Sequence, residues 1–179
     1  MRNEPSPWVR AWAPHLPPGG LVLDLACGGG RHATYLHALG HPVLALDRKP
    51  PTKGDTLCLE FLPEGMEFLL FDLEMDLAAT GRALKARAPF EGIVVVNYLH
   101  RPLLPLLPEL LCEGGLLIYE TFLSGQEKIG RPRNPDFLLR PGELLEGFKN
   151  SLQVLGFEEG LGLGGVPGLK QRFCGRRGS

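Results

Sequence analysis

The sequence predicts an α/β fold: a doubly wound, mostly parallel seven-stranded sheet with helices on both faces and an antiparallel last strand. Three observations carry this expectation. Short apolar runs recur along the 179 residues with helix-patterned stretches between them. Several runs are continuously apolar, as strands buried on both faces must be. Three of them end on a polar residue, Asp47, Asp72 or Asn97, at the rim where open α/β sheets bind ligands.

Residues 1–20 are read as an N-terminal helical segment in which Trp8 and Trp12, four apart, share a face. That pair is either a lid over a site or an anchor onto the core. "LVLDLA" from Leu21 is the first strand, and "RHATYLHAL" the first helix of the alternation, closed by Gly40. "PVLALD" from Pro42, "MEFLLFD" from Met66, "GIVVVN" from Gly92 and "GGLLIYETF" from Gly114 are the next four strands. Gly81 to Ala88 is weakly helical. "PLLPLLPELL" from Pro102 is a helix that begins late, because its prolines cannot donate hydrogen bonds in a helix interior. A polar loop over 122–141 precedes a helix from Gly142 to Lys149, a strand from Leu152 to Glu158 and a last strand that includes Lys170 to Cys174. No repeat or composition break divides the chain, so one domain over 1–179 is expected.

Composition narrows the function. With 44% apolar residues and a formal charge of −1, no global field draws the chain to nucleic acid or to an anionic membrane. No apolar run approaches the roughly 20 residues that span a bilayer, and "MRNEPSPWVR" lacks the apolar core of a signal peptide. Cys27, Cys58, Cys112 and Cys174 are scattered without a CxxC pair, which reads as reduced thiols in a cytoplasmic protein. His15, His32, His37 and His41 show no metal-ligand spacing with acids or thiols, and no metal is expected.

The informative stretch is "DLACGGGRH" from Asp24. Glycine at 28 and 30 removes Cβ atoms beside the first strand's end, so a ligand can approach the backbone. Asp24 has two readings, a contact to a ligand's cationic group or a brace on the loop's own N–H groups. Asp47 and Asp72 are each a ligand acid, a turn former or a helix cap.

These residues resemble the first motif of the S-adenosylmethionine-dependent methyltransferases with the Rossmann-like fold, with Asp24, Ala26, Gly28 and Gly30 at the motif positions and Ala in place of its commonest first glycine. The resemblance implies S-adenosyl-L-methionine as cofactor. It implies that Ala26, Cys27, Gly28 and Gly30 line the cofactor's ribose and methionine part, that Asp47 bonds the ribose hydroxyls, and that its neighbour Arg48 is a further cofactor contact. It further implies that Asp72 and Leu73 read the adenine, whose faces Leu46 or Leu73 would cover, and that Asn97 and Tyr98 face the methyl group. "NYLHRPLL" and "GRPRNPDFLLRPGELL" are similar to the tellurite-resistance-type small-molecule methyltransferases.

Methyl transfer needs an acceptor held in line more than it needs a base. His100 is the candidate base if the acceptor must lose a proton, since its ordinary pKa suits neutral pH. Tyr98, with Tyr35 nearby, would favour a cationic sulfonium. Asn97 is not followed by PP(Y/F) and no Pro-Cys nucleophile occurs, which disfavours nucleic-acid acceptors. A small molecule is expected, an anionic one if Arg101, Arg131, Arg133 and Arg140 form a clamp. The protein would work as a monomer or homodimer. Two alternatives stand beside this reading. One is an NAD(P)-dependent Rossmann oxidoreductase, since Gly28, Gly30 and Ala33 also satisfy GxGxxG/A with Asp47 downstream. The other is a non-catalytic S-adenosylmethionine-binding module.

Overall fold

The computed structural model describes residues 4–178. Positions 1–3 of the expected N-terminal segment and Ser179 lie outside the described residues. Seven strands, β1 (Val22–Leu25), β2 (Val43–Asp47), β3 (Met66–Leu70), β4 (Phe90–Val96), β5 (Leu111–Phe122), β6 (Gln153–Leu161) and β7 (Leu169–Arg176), form one sheet in the order β3-β2-β1-β4-β5-β7-β6. The strands β1 to β5 run parallel, and β7 lies antiparallel between β5 and β6. The expected doubly wound sheet with an antiparallel last strand is therefore present. The chain steps outward from β1 to β3 and returns to β4, so the topological switch falls between β1 and β4.

Period-two alternation divides each strand between two cores. Val22, Val43, Val94 and Ile118 pack beneath α1 (Pro7–Trp12) and α2 (Arg31–Ala38), with Val9, Ala33 and Leu36 from those helices. Leu23, Leu44, Ile93 and Leu117 pack on the other face against Leu84 of α3 (Leu77–Lys85), Leu107 and Leu110 of α4 (Leu107–Leu110), and Phe148 of α5 (Glu143–Phe148). Each buried Val, Leu, Ile or Phe side chain among these contributes about 1.5–3 kcal/mol relative to exposure. No helix is long and apolar enough to cross a membrane among the described residues.

Several boundaries differ from the expectation for local reasons. Helix α3 begins at Leu77 rather than Gly81, because the Asp76 carboxylate accepts from the N–H groups of Ala78 and Ala79 at 2.8 and 3.0 Å. The proline-crowded stretch splits into a 3₁₀ turn at Arg101–Leu103 and the single turn of α4. Strand β5 starts at Leu111, and β6 continues to Leu161. Between β2 and β3 there is only a loop with a 3₁₀ turn at Leu59–Phe61, and the buried side chain of Leu57 packs into the α2-side core.

The tryptophan pair is an anchor, which corrects the lid reading. Ser6 caps α1 by accepting from the Trp8 N–H at 3.1 Å, and Trp8 Nε1–H donates to the Phe173 carbonyl at 3.1 Å. Trp12 packs edge-on at 5.6 Å between ring centroids, over Gly156, where a Cβ would lie 2.6 Å from its ring.

Candidate functional site

The first residues beyond β1 and β4 are Ala26 and Asn97. They are the two non-glycine residues with positive φ among the described residues, at 57° and 58°. Asparagine tolerates this left-handed backbone; for alanine it costs about 1–2 kcal/mol, the kind of local strain that clusters at functional sites. Both turn the chain away from the strand direction and open a gap at the switch point. Two cavities meet there, one of about 280 Å³ and one of about 560 Å³, and Ala26 and Asn97 line both.

The first cavity brings together Asp47, Arg48, Asp72, Leu73 and Tyr98, with Phe71 and Glu74 on the β3 side and Phe122, Pro132 and Phe137 at the far end. Asp47 Oδ2 accepts from the Gly28 N–H at 2.8 Å and Oδ1 from the Lys49 N–H at 3.0 Å, tying the end of β2 to the glycine turn. Asp72 Oδ1 accepts from the Glu74 N–H at 3.0 Å. Each carboxylate retains lone pairs for a ligand. The hydroxyl of Tyr98 is buried without a hydrogen-bond partner. Burial first, and then the nearby Glu74 carboxylate, raises its pKa above the ordinary tyrosine value, so the phenol stays protonated.

The second cavity is lined by Cys27, Gly28, Gly29, Arg31, His32 and the turn from Thr52 to Thr56. Gly28, at φ 55°, would aim a Cβ into open space. Burial pushes the Cys27 thiol well above its ordinary pKa, so it stays protonated and unreactive.

Other expected site residues lie elsewhere. Asp24 lines neither cavity. It is buried, and its Oδ2 accepts from the Ala33 N–H at 2.8 Å, which is the brace reading. Burial raises its pKa to about 7, against the opposing Ala33 hydrogen bond. Gly30 also lines neither cavity: a Cβ there would lie 2.4 Å from Leu57 Cβ, so this glycine admits the β2–β3 loop instead of a ligand. His100 is outside both linings, with its carbonyl accepting from the Leu103 N–H at 3.0 Å. Leu46 is fully buried in the core, and Tyr35 packs beside the α2-side core.

The four arginines are not gathered around one point. Arg101 Nε and Nη2 donate to the two Glu143 oxygens at 2.6 and 3.0 Å, and its remaining donors reach the carbonyls of Asp136 and Leu138. The exposed Arg140 lies 3.6 Å from Glu143. Arg131 and Arg133 line an adjoining depression that shares Phe122, Pro132 and Phe137 with the first cavity. No group of three His, Cys, Asp or Glu residues is gathered as a metal site among the described residues.

Sequence reasoning missed the polar cluster below Asn97. Lys170 Nζ donates to Asn97 Oδ1 at 2.7 Å and to Glu120 Oε1 at 2.6 Å; Ser6 Oγ–H donates to Glu120 Oε2 at 2.7 Å, and the Ser6 N–H donates to His32 Nε2 at 3.2 Å. Burial and the Arg31 charge push the His32 pKa down to about 3. The available signal was charge inside two strand patterns, Glu120 in "LLIYETF" and Lys170 with Arg172 in "LKQRFC".

Comparison with known proteins agrees with this architecture. An uncharacterized methyltransferase of Synechocystis sp. is 34% identical over 95 residues, 49% of this chain and 44% of that protein, so the chain spans less than half of that relative's length. The crystal structure of TehB from Haemophilus influenzae superposes with a TM-score of 0.66 at 21% identity, over 95% of this chain and 61% of that one. The 1,6-didemethyltoxoflavin-N1-methyltransferase of Burkholderia thailandensis, crystallised with 1,6-didemethyltoxoflavin and S-adenosylhomocysteine, gives 0.66 at 19% identity, over 97% and 77%. No family model matches the chain. The fold is that of the Rossmann-like S-adenosylmethionine-dependent methyltransferases.

Proposed function

We propose that this protein is a single-domain, cytoplasmic, S-adenosylmethionine-dependent methyltransferase for a small-molecule acceptor. The carrying observation is the pair of cavities that share Ala26 and Asn97 at the switch point. Together they match a nucleoside joined to an amino acid through one central atom. In the first cavity Asp47 accepts from the ribose hydroxyls, while Asp72 and the Leu73 backbone face the adenine, with Phe71 and Leu73 against its faces. In the second, Arg31 and Lys53 beside Asp55 suit the zwitterionic methionine end, and Gly28 leaves its Cβ space free for it.

Bound there, the cofactor supplies a methyl group activated on sulfonium sulfur. The chain's own contribution is to align an acceptor and exclude water, which brings proximity and orientation to bear on the barrier. Phe122, Pro132 and Phe137 wall the end where an acceptor would enter, and Tyr98, its phenol protonated, lines the same cavity. That lining favours a largely apolar acceptor, with Arg131 and Arg133 on the adjoining depression as the nearest cations for an acidic group on it. His100 has no part in this reading.

The dinucleotide alternative fits less well. The helix start that would receive a pyrophosphate has Leu57 over Gly30, and the buried Asp24 already accepts from the Ala33 N–H. Calorimetry with S-adenosylmethionine, S-adenosylhomocysteine and NAD tests the proposal. Micromolar binding of the first two, no heat with NAD, and loss of binding in Asp47→Ala are expected. Binding of NAD alone would overturn it. Methyl-labelled cofactor incubated with a metabolite panel separates an enzyme from a silent binding module.

A further inference from the structure

The ionic cluster beneath Asn97 is unused by the function proposed above. Glu120 on β5 and Lys170 and Arg172 on β7 share one sheet face, because the antiparallel register sets Glu120 against Arg172 and Phe122 against Lys170. Their side chains are only 1%, 4% and 3% exposed. Lys170 Nζ lies 2.6 Å from one Glu120 oxygen, and Arg172 Nε lies 2.9 Å from the other, so one carboxylate serves two cations. The next anion, Glu158, is 3.6 Å from Arg172 and half exposed.

Lys170 has a second acceptor, Asn97 Oδ1 at 2.7 Å. An ammonium only donates, so Asn97 must turn its carbonyl oxygen toward Lys170, which leaves Nδ2 for the junction of the two cavities. Burial pulls the Lys170 pKa below the ordinary lysine range while Glu120 pulls it back. With acceptors in both contacts, the ammonium is the form this geometry requires.

We infer that Lys170 is a positioning residue: through Asn97 it gives the floor of the cavity junction a positive electrostatic bias that disfavours bound sulfonium relative to the thioether left after transfer. The inference rests on the methyltransferase reading and on the cofactor sulfur lying over Asn97. In the reaction the acceptor's lone pair forms the new bond to the methyl carbon, the S–CH₃ bond breaks and its electron pair stays on sulfur, so a positive charge leaves the sulfur. A fixed cation below it repels the starting state more than the transition state, which is differential binding in the catalytic sense.

The test needs no acceptor. Dissociation constants for S-adenosylmethionine and S-adenosylhomocysteine are measured on the native chain, Lys170→Met, Lys170→Arg and Asn97→Asp. The native chain should favour the thioether. Lys170→Met should shift the ratio of the two constants toward the sulfonium by about three- to tenfold, as expected for one charge at short range in a partly screened site, and Lys170→Arg should preserve it. Asn97→Asp changes an exposed residue and places an anion against Lys170. It should shift the ratio the same way even if Lys170→Met fails to fold. A loss of packing alone would weaken both ligands equally. An unchanged ratio in folded Lys170→Met or in Asn97→Asp, or a shift in Lys170→Arg equal to that in Lys170→Met, overturns the inference. Failure of the native chain to bind either ligand overturns the methyltransferase reading itself.

Discussion

Asp24 on β1 accepts a hydrogen bond from the Ala33 N–H of α2 at 2.8 Å and so caps a helix whose own N-cap, Gly30, has no side chain to offer. The cap is a buried acid whose pKa is raised to about 7 from 3.8, burial being the main cause. Between those values the folded state holds a proton that the unfolded state has lost, so this group makes stability fall as pH rises from about 4 to 7. His32 acts in the opposite sense. Its pKa is lowered to about 3 from 6.5, so the unfolded state gains a proton the native state refuses and stability rises with pH across that window. Each slope is at most about 1.4 kcal/mol per pH unit. Urea unfolding of Asp24→Asn against pH should therefore reveal the His32 slope that the native chain partly cancels. Curves for variant and native chain that run parallel from pH 4 to 6.5 would contradict this account.

Two glycines of the turn should separate structure from binding. Gly30 has φ 74° and a Cβ position 2.4 Å from Leu57 Cβ. Gly30→Ala forces the β2–β3 loop away from α2, with an expected loss of about 2–4 kcal/mol from overpacking plus backbone strain. Gly28 has φ 55° with nothing within 4 Å of its Cβ position. Gly28→Ala should lose only about 1–2 kcal/mol in thermal unfolding yet weaken cofactor binding at least tenfold, because the new methyl group enters the second cavity. Equal effects of the two substitutions on binding would remove the distinction.

The two glycines also show how far the sequence can be read. Continuous apolar runs announce strands buried on both faces, and the polar residues that close them, Asp47, Asp72 and Asn97, do gather at one cavity because strand ends share a rim. What the glycine triplet faces is decided by a loop 27 residues further on, since Leu57 alone determines that Gly30 is filled and Gly28 open. Lys170 reaches Asn97 across 73 residues through the register of an antiparallel strand, which no local pattern specifies. The charge of Arg101 is visible in sequence and makes it a candidate for a ligand clamp, whereas its partner Glu143 lies 42 residues away. The start of α3 is different in kind: Asp76 ahead of "LAAT" is a capping signal carried by the local sequence.

Arg101 is expected to behave as a strut. Its guanidinium joins the turn at Arg101–Leu103 to Glu143 of α5 and to the carbonyls of Asp136 and Leu138, on either side of the cavity residue Phe137. Arg101→Met leaves the largely buried Glu143 without its fork and should reduce stability by about 2–3 kcal/mol. Arg101→Lys should recover less than half of that, since an ammonium cannot make the paired contacts. Limited proteolysis should cut residues 123–141 faster in both variants. Full recovery with lysine would mean that charge alone matters there.

If Trp8 and Trp12 anchor α1, their substitution should change stability and leave ligand exchange alone. Trp8→Phe removes the Nε1–H bond to the Phe173 carbonyl, worth about 1 kcal/mol plus the packing lost with the larger ring. Gly156→Ala pushes a methyl group to 2.6 Å from the Trp12 ring and should cost about 1–3 kcal/mol. Trp12→Leu gives up ring packing of its own but frees that space, so the double variant Gly156→Ala/Trp12→Leu should be more stable than the sum of the two single losses. Stopped-flow association and dissociation of S-adenosylhomocysteine should stay within twofold of the native rates in Trp8→Phe and Trp12→Leu. A helix that gated the site would instead raise both rates when its hinge side chains were trimmed, so faster exchange in either variant would restore the lid.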